Sequence, residues 1–416
     1  MNLPVVLHFL FIGSYYIFYL RKRGFLSVGG IILTLYTISA LCAFFILDDL
    51  SFTRTLELSI YPTLFFIVAL VIYTRPFFYK ESALSKKLSI SRYNYDYLVY
   101  GYIAVAIAQT VILIPKILHM DFGDLALAYN MAWEDADAHQ LYNGWFEGLL
   151  INIISYFRWP MIILFYFYLT KRDTSKLMKV SILLAIIVPN FLWALRFVSR
   201  SQLVSLFISF LFCYIIFKES INKKTRRIIN IALVSFTSLL IVFFIIITLG
   251  RFSDDSSKAL LYYIGHPSLV YNGSAVTPSH GNMGGQIYFD WFYEKFGLKT
   301  LGEADDVIGT TADSAFKTFL GTRYIDFGPI GTIIYGCILC IIILSLLKRK
   351  RIGIAELYIY LFYAEWIFIG AFYDSLKAMN WLMAIIIILF LKSPLFIRKK
   401  NGSNCILPAP ISSHPS

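Results

Sequence analysis

Eleven apolar stretches follow one another along this chain, at about residues 3–20, 25–47, 56–73, 97–118, 146–169, 177–195, 202–217, 228–249, 327–347, 354–372 and 379–391. A bilayer's hydrocarbon core is about 30 Å thick and takes about 20 apolar residues per helical crossing. No water inside that layer can satisfy backbone N–H and C=O groups, so the crossings must be helices or a closed barrel. Stretches of this length and uniformity fit helices. The chain therefore reads as an all-α integral membrane protein with about 11 transmembrane helices. Its 58% hydrophobic and 15% charged residues exclude an ordinary soluble domain. Residues 1–416 form a single membrane domain, because too little chain remains for another.

Charge separates the connections into two sets. The segments 21–23, 75–92, 171–179, 218–227, 348–351 and 392–400 hold 25 of the 37 Lys and Arg and, counted with the flanking Asp96 and Glu356, five of the 25 Asp and Glu. They carry +20, the rest of the chain carries −8, and the two make up the formal +12. Cytoplasmic loops concentrate Lys and Arg, so this set is expected in the cytoplasm. The N-terminus is then outside and the C-terminus inside. The sorted basicity is a topology signal, and no nucleic-acid partner is expected. The first stretch is not a cleavable signal, because its charges follow the apolar run. The tail at 401–416 reads as a disordered cytoplasmic segment.

Two outward connections are long enough for chemistry. The segment 119–145 carries Asp121, Asp124, Glu134, Asp135 and Asp137 and has no Lys or Arg. The segment 250–326 is the large outer loop, near the C-terminal third. It contains His266 in GHPS, His280 in SHGNMGG, and the aromatic run QIYFDWFYEKF at 286–296, which suits a membrane interface or sugar stacking. Either His could take a proton from a hydroxyl near neutral pH.

Arginines also recur away from the basic connections. Arg158 lies in the middle of the fifth stretch, where a charge costs about 3 kcal/mol on insertion scales. It is either functional or ion-paired to a buried acid such as Glu365. Arg196 and Arg200 share one face at i, i+4 spacing, where an anion or a carboxylate would relieve their repulsion. Arg251 follows the eighth stretch and Arg323 precedes the ninth. Guanidinium groups bind phosphate bidentately and stay charged when desolvated. Cys337 and Cys340 have CxxC spacing amid Ile and Leu, without a His or acid beside them, so no metal site and no cofactor is expected. No Gly-rich nucleotide loop occurs, which argues against an ATP-driven pump.

In layout and in three short patterns the chain resembles the O-antigen polymerase family, the Wzy-type oligosaccharide repeat-unit polymerases. The patterns are RFVSRSQLVSLFISF at 196–210, YYIGHPSLVYNG at 262–273 and TFLGTRYIDFGPIGTIIYG at 318–336. The resemblance implies a GT-C-like fold in the bacterial inner membrane. It also implies a metal-independent glycosyltransferase that polymerises undecaprenyl-pyrophosphate-linked oligosaccharides on the outer face. In that setting Arg158, Arg196, Arg200, Arg251 and Arg323 would hold the pyrophosphate, and His266, His280 or an outer-loop carboxylate would act as base. Asp326 would orient the ninth helix. Membrane lipids and a chain-length regulator are the implied partners. An O-antigen ligase, or in another class a lipid-linked oligosaccharide flippase or transporter, are the competing expectations.

Overall fold

The computed structural model describes residues 3–46, 58–88, 94–119, 145–171, 174–197, 199–251, 256–276, 283–298 and 318–396, with backbone alone at 200, 243–251, 256–260, 274 and 275. Most of the acidic segment 119–145, His280 and the tail at 401–416 lie outside the described residues. Among those described, helices account for nearly all regular structure, and one isolated bridge joins Leu88 to Ile352.

In chain order the helices are α1 (Leu3–Arg23), α2 (Val28–Ile46), α3 (Ile60–Thr74), α4 (Ser82–Lys87), α5 (Asp96–Leu118), α6 (Trp145–Thr170) and α7 (Lys176–Arg196). They continue with α8 (Arg200–Phe217), α9 (Lys223–Arg251), α10 (Ser256–Val270), α11 (Asp290–Lys295), α12 (Thr318–Leu347), α13 (Ile354–Ile369) and α14 (Ala378–Leu391). Each of the eleven apolar stretches contains a helix, and 8 helices among the described residues are long and apolar enough to cross a membrane. The chain is thus a membrane-embedded helical protein.

The basic connections meet at one end of the bundle. Arg23 reaches Glu81 at 3.4 Å, and Glu81 also accepts from the Val28 N–H at 3.1 Å. Lys86 lies 4.0 Å from Glu219, and Glu356 takes both Lys392 at 2.6 Å and Arg349 at 3.2 Å. Few carboxylates serve many cations here, so this end stays strongly positive.

Buried tyrosines tie the core together. A phenol in an apolar interior must place its O–H on an acceptor, and a helical carbonyl has a second lone pair to offer. Tyr363 donates to the Tyr73 carbonyl at 2.6 Å, Tyr36 to that of Ile367 at 2.8 Å, and Tyr73 to that of Thr332 at 3.0 Å. These bonds join α3, α2, α12 and α13.

Two departures from the sequence reading shape the functional region, both inside the expected loop at 250–326. Residues 256–270 form α10, which lies directly on α2: Ser39 donates to the Ile264 carbonyl at 2.8 Å and bonds Ser268 at 3.0 Å. The approach is close because residue 265 is glycine. A Cβ there would stand 2.5 Å from the Ala43 nitrogen and 2.7 Å from the Cys42 carbonyl carbon. Backbone cannot yield as a side chain can. Gly265→Ala is therefore expected to force α10 off α2 and destabilise the protein by about 1–3 kcal/mol, the usual range for overpacking. Thermal unfolding in detergent checks this, with Gly101→Ala, where a Cβ meets nothing within 4 Å, as control.

The second departure is at the ninth stretch, where helix begins at Thr318 and not at Phe327. It is broken at Gly328, whose φ of 69° and ψ of −179° belong to a region essentially reserved for glycine. The ring of Phe327 stacks on Tyr335 at 5.9 Å. On a straight helix eight residues span about 12 Å, so the chain turns back on itself here. Asp326 accepts from the Ile287 N–H at 3.0 Å and the Tyr288 N–H at 2.9 Å. It anchors the 283–289 turn beside the break.

Candidate functional site

A cavity of about 250 Å³ opens between α6, α8, α13 and the start of α14. It lies in the half of the bundle away from the basic end, since α8 and α14 begin there and α13 ends there. Six serine or amide side chains line it, Ser155, Ser201, Gln202, Ser205, Ser375 and Asn380, together with the rings of Tyr156, Tyr358, Phe362, Trp366 and Tyr373. Helices of this composition would otherwise pack apolar against apolar. Here small polar residues on α6 and α8 face one another and leave room.

Arg158 and Glu365 form one wall. The Arg158 Nη2 is 2.5 Å from the Glu365 Oε1 and 2.7 Å from the Ser205 hydroxyl. Glu365 also accepts from Trp159 Nε1 and from the Ser205 hydroxyl. Its charge is matched and its oxygens are filled, which is what a carboxylate needs inside a membrane. The Nε of Arg158 is buried with no hydrogen-bond partner.

A second ion pair stands behind Trp366 and Leu376. Arg323 Nε is 2.8 Å from Asp374 Oδ2, and its Nη2 donates to the Leu376 carbonyl. The guanidinium sits over the rings of Tyr288 at 4.3 Å, Tyr335 at 5.2 Å and Trp366 at 5.7 Å. Asp374 in turn accepts from Trp366 Nε1 at 2.9 Å and the Leu376 N–H at 3.0 Å. Trp366 therefore links the two pairs, lining the cavity with its ring and holding Asp374 with its nitrogen. Arg323 is 1% exposed, enclosed by Asp374, the Leu376 carbonyl and these rings.

The remaining expected residues are dispersed. Arg196 pairs with Glu147 at 2.8 Å, and Glu147 also binds Lys116 at 2.5 Å. Glu147 precedes Arg158 by eleven residues on α6, about 16 Å along the helix, so Arg196 and Arg158 do not converge on one anion. Arg200 opens α8 directly before the cavity-lining Ser201, and Arg251 ends α9. Their side chains are not described. His266 lies within helix α10, inside the segment expected as loop; it is half-buried, and burial pushes its imidazole down to about 4. It is neutral at neutral pH, and the lowered value makes it a weaker proton acceptor than an exposed histidine.

Glu147, Asp374, Trp366 and the cavity serines were not singled out from the sequence. The signal that existed was an acid within or beside an apolar run, since such an acid needs a buried partner.

No family model, curated protein or solved structure matches the chain. The fold and the cavity together define a polytopic helical membrane protein with a polar, aromatic-walled chamber flanked by two buried ion pairs.

Proposed function

We propose that the protein polymerises undecaprenyl-pyrophosphate-linked oligosaccharide repeat units, on the outer side of a bacterial inner membrane, by a GT-C-like arrangement of helices. The observation that carries this reading is the chamber lining. Hydroxyl and amide groups alternating with aromatic rings suit sugars, whose faces are apolar and whose edges carry hydroxyls. At about 250 Å³ the chamber takes only part of a ligand, as fits the end of a longer molecule tethered in the bilayer. Its position away from the basic end, which we read as cytoplasmic, agrees with chemistry on the outer face.

In the reaction an acceptor hydroxyl oxygen attacks the anomeric carbon of the donor glycan. The bond from that carbon to the pyrophosphate oxygen breaks, and undecaprenyl pyrophosphate leaves. The hydroxyl proton passes to a base; His266, the candidate histidine that is described, lies on α10 and outside the chamber lining. Charge on the leaving group needs cations. Arg200 adjoins the chamber in sequence and Arg158 lines it, so these two are the candidates.

A second reading, transport of the same lipid-linked sugars, is favoured by one observation: a helix broken at Gly328 with a buried ion pair beside it, as transporters use at their binding sites. Deleting the gene in its native strain separates the two. Surface polysaccharide that collapses to core plus a single repeat supports polymerisation. Repeat units trapped on the cytoplasmic side support transport, and full-length polymer left on its lipid carrier indicates a ligase. In a complemented strain Gln202→Leu or Asn380→Leu, which break no ion pair, should each reduce polymer about tenfold, the effect of one lost hydrogen bond. Unchanged ladder lengths in both would remove the chamber from the proposal.

A further inference from the structure

A second cavity, of about 330 Å³, lies between α6, α7, α8 and α9, and its lining is almost wholly apolar. On α9 it is faced by Thr225, Ile228, Ile229, Ala232, Leu233 and Phe236. These positions recur at i, i+3, i+4, i+7, i+8 and i+11, the single stripe by which a helix normally packs on its neighbours. Here the stripe is packed only in part, with Ile229 against the main core and Phe236 against the cluster of Ala194, Leu203 and Leu240. Helix α9 touches α8 above the cavity, where Phe236 meets Phe207 at 5.8 Å, and at one side, where Tyr214 bonds Asn230 at 2.5 Å. Between these points it stands away, and Ile228 remains 60% exposed although it lines the groove.

We propose that this groove holds one acyl chain of an anionic phospholipid from the leaflet at the basic end. An apolar void without contents forfeits the dispersion contacts of its walls, and a bilayer supplies hydrocarbon to fill it. Chain burial alone would not choose among lipids, since tails are equally apolar elsewhere in the membrane. The choice comes from the mouth of the groove. Thr225 sits in the first turn of α9 among Lys223, Lys224, Arg226 and Arg227. Across the mouth, Leu169 is two residues from Lys171 and Leu183 is four residues from Lys179, which donates to the Lys171 carbonyl at 3.0 Å. Cations from two sides thus converge where an apolar chain emerges, the arrangement by which basic pockets between membrane helices hold acidic headgroups. The groove is separate from the polar chamber and the inference does not depend on the glycan reading.

The test is native mass spectrometry of the full chain, purified in detergent and offered phosphatidylglycerol or phosphatidylethanolamine, with a photoreactive-acyl phosphatidylglycerol as a second probe. Wild type should retain one phosphatidylglycerol in preference to phosphatidylethanolamine. Arg226→Gln with Arg227→Gln should lower that preference about fivefold or more, while Leu233→Trp should abolish retention of both lipids. Should Leu233→Trp not fold, the photoprobe on wild type decides: labels concentrated in 206–210 and 228–236 support the groove. Labels spread equally over the lipid-facing residues of α12, or no preference between headgroups in wild type, would overturn the proposal. Displacement of phosphatidylglycerol by equimolar undecaprenyl phosphate would also overturn it, by assigning the groove to a polyprenyl chain.

Discussion

Glu365→Ala is expected to destabilise the protein by about 3–5 kcal/mol, the cost of leaving one partner of a buried ion pair alone. The carboxylate receives Arg158, Trp159 and Ser205 at once. Its removal strands a guanidinium that is only 8% exposed and whose Nε already has no hydrogen-bond partner. Water entering through the chamber can repay only part of that. The double variant Arg158→Met with Glu365→Met removes both charges and should be closer to wild type than either single change, because well-packed apolar residues often replace a buried pair at little loss. Thermal unfolding in detergent measures all three proteins. If Glu365→Ala melts with wild type, the pair is not buried as described.

Arg323→Met should be at least as damaging, for two physical reasons. It leaves Asp374, 3% exposed at the side chain, without its cation. It also empties a box of aromatic rings, with Tyr288 at 4.3 Å and Tyr335 at 5.2 Å, whose faces are complementary to a positive charge. A loss of about 3–5 kcal/mol is again expected. Arg323→Lys keeps the charge but has neither the planar surface nor the fork that spans Asp374 and the Leu376 carbonyl, so it should fall between wild type and Arg323→Met. Trp366 supplies an independent readout, because its indole N–H bonds Asp374 and its ring faces the guanidinium. Its fluorescence should shift in Arg323→Met and stay unshifted in Glu147→Gln, which alters a pair elsewhere on the bundle. Equal stability of Arg323→Lys and wild type would mean that charge alone matters at this site.

The two pairs were not equally open to a sequence reading. Arg158 in SYFRWPMII and Glu365 in a later apolar run were each conspicuous as charges in hydrocarbon, and such residues need partners. Their mutual pairing could be named as an option on that ground alone. Arg323 carries no comparable sign, since it precedes the ninth apolar run and falls in the connection before it. The break at Gly328 folds its helix inward and makes it a core residue. The Gly-Pro step was visible, but whether it ends a loop or divides a helix depends on what packs beside it.

From the sequence alone came the membrane class, the approximate positions of the crossings and the separation of basic connections from the rest. These follow from transfer of apolar surface and of charge, properties of each segment by itself. The tertiary structure alone decided which helices are neighbours, that α10 docks on α2 through Gly265, that α12 doubles back, and which carboxylate each arginine meets. Helical periodicity marks the face a helix presents and carries no information about the helix opposite it. The polar chamber and the apolar groove are both spaces between such neighbours, and they exist only once those neighbours are in place.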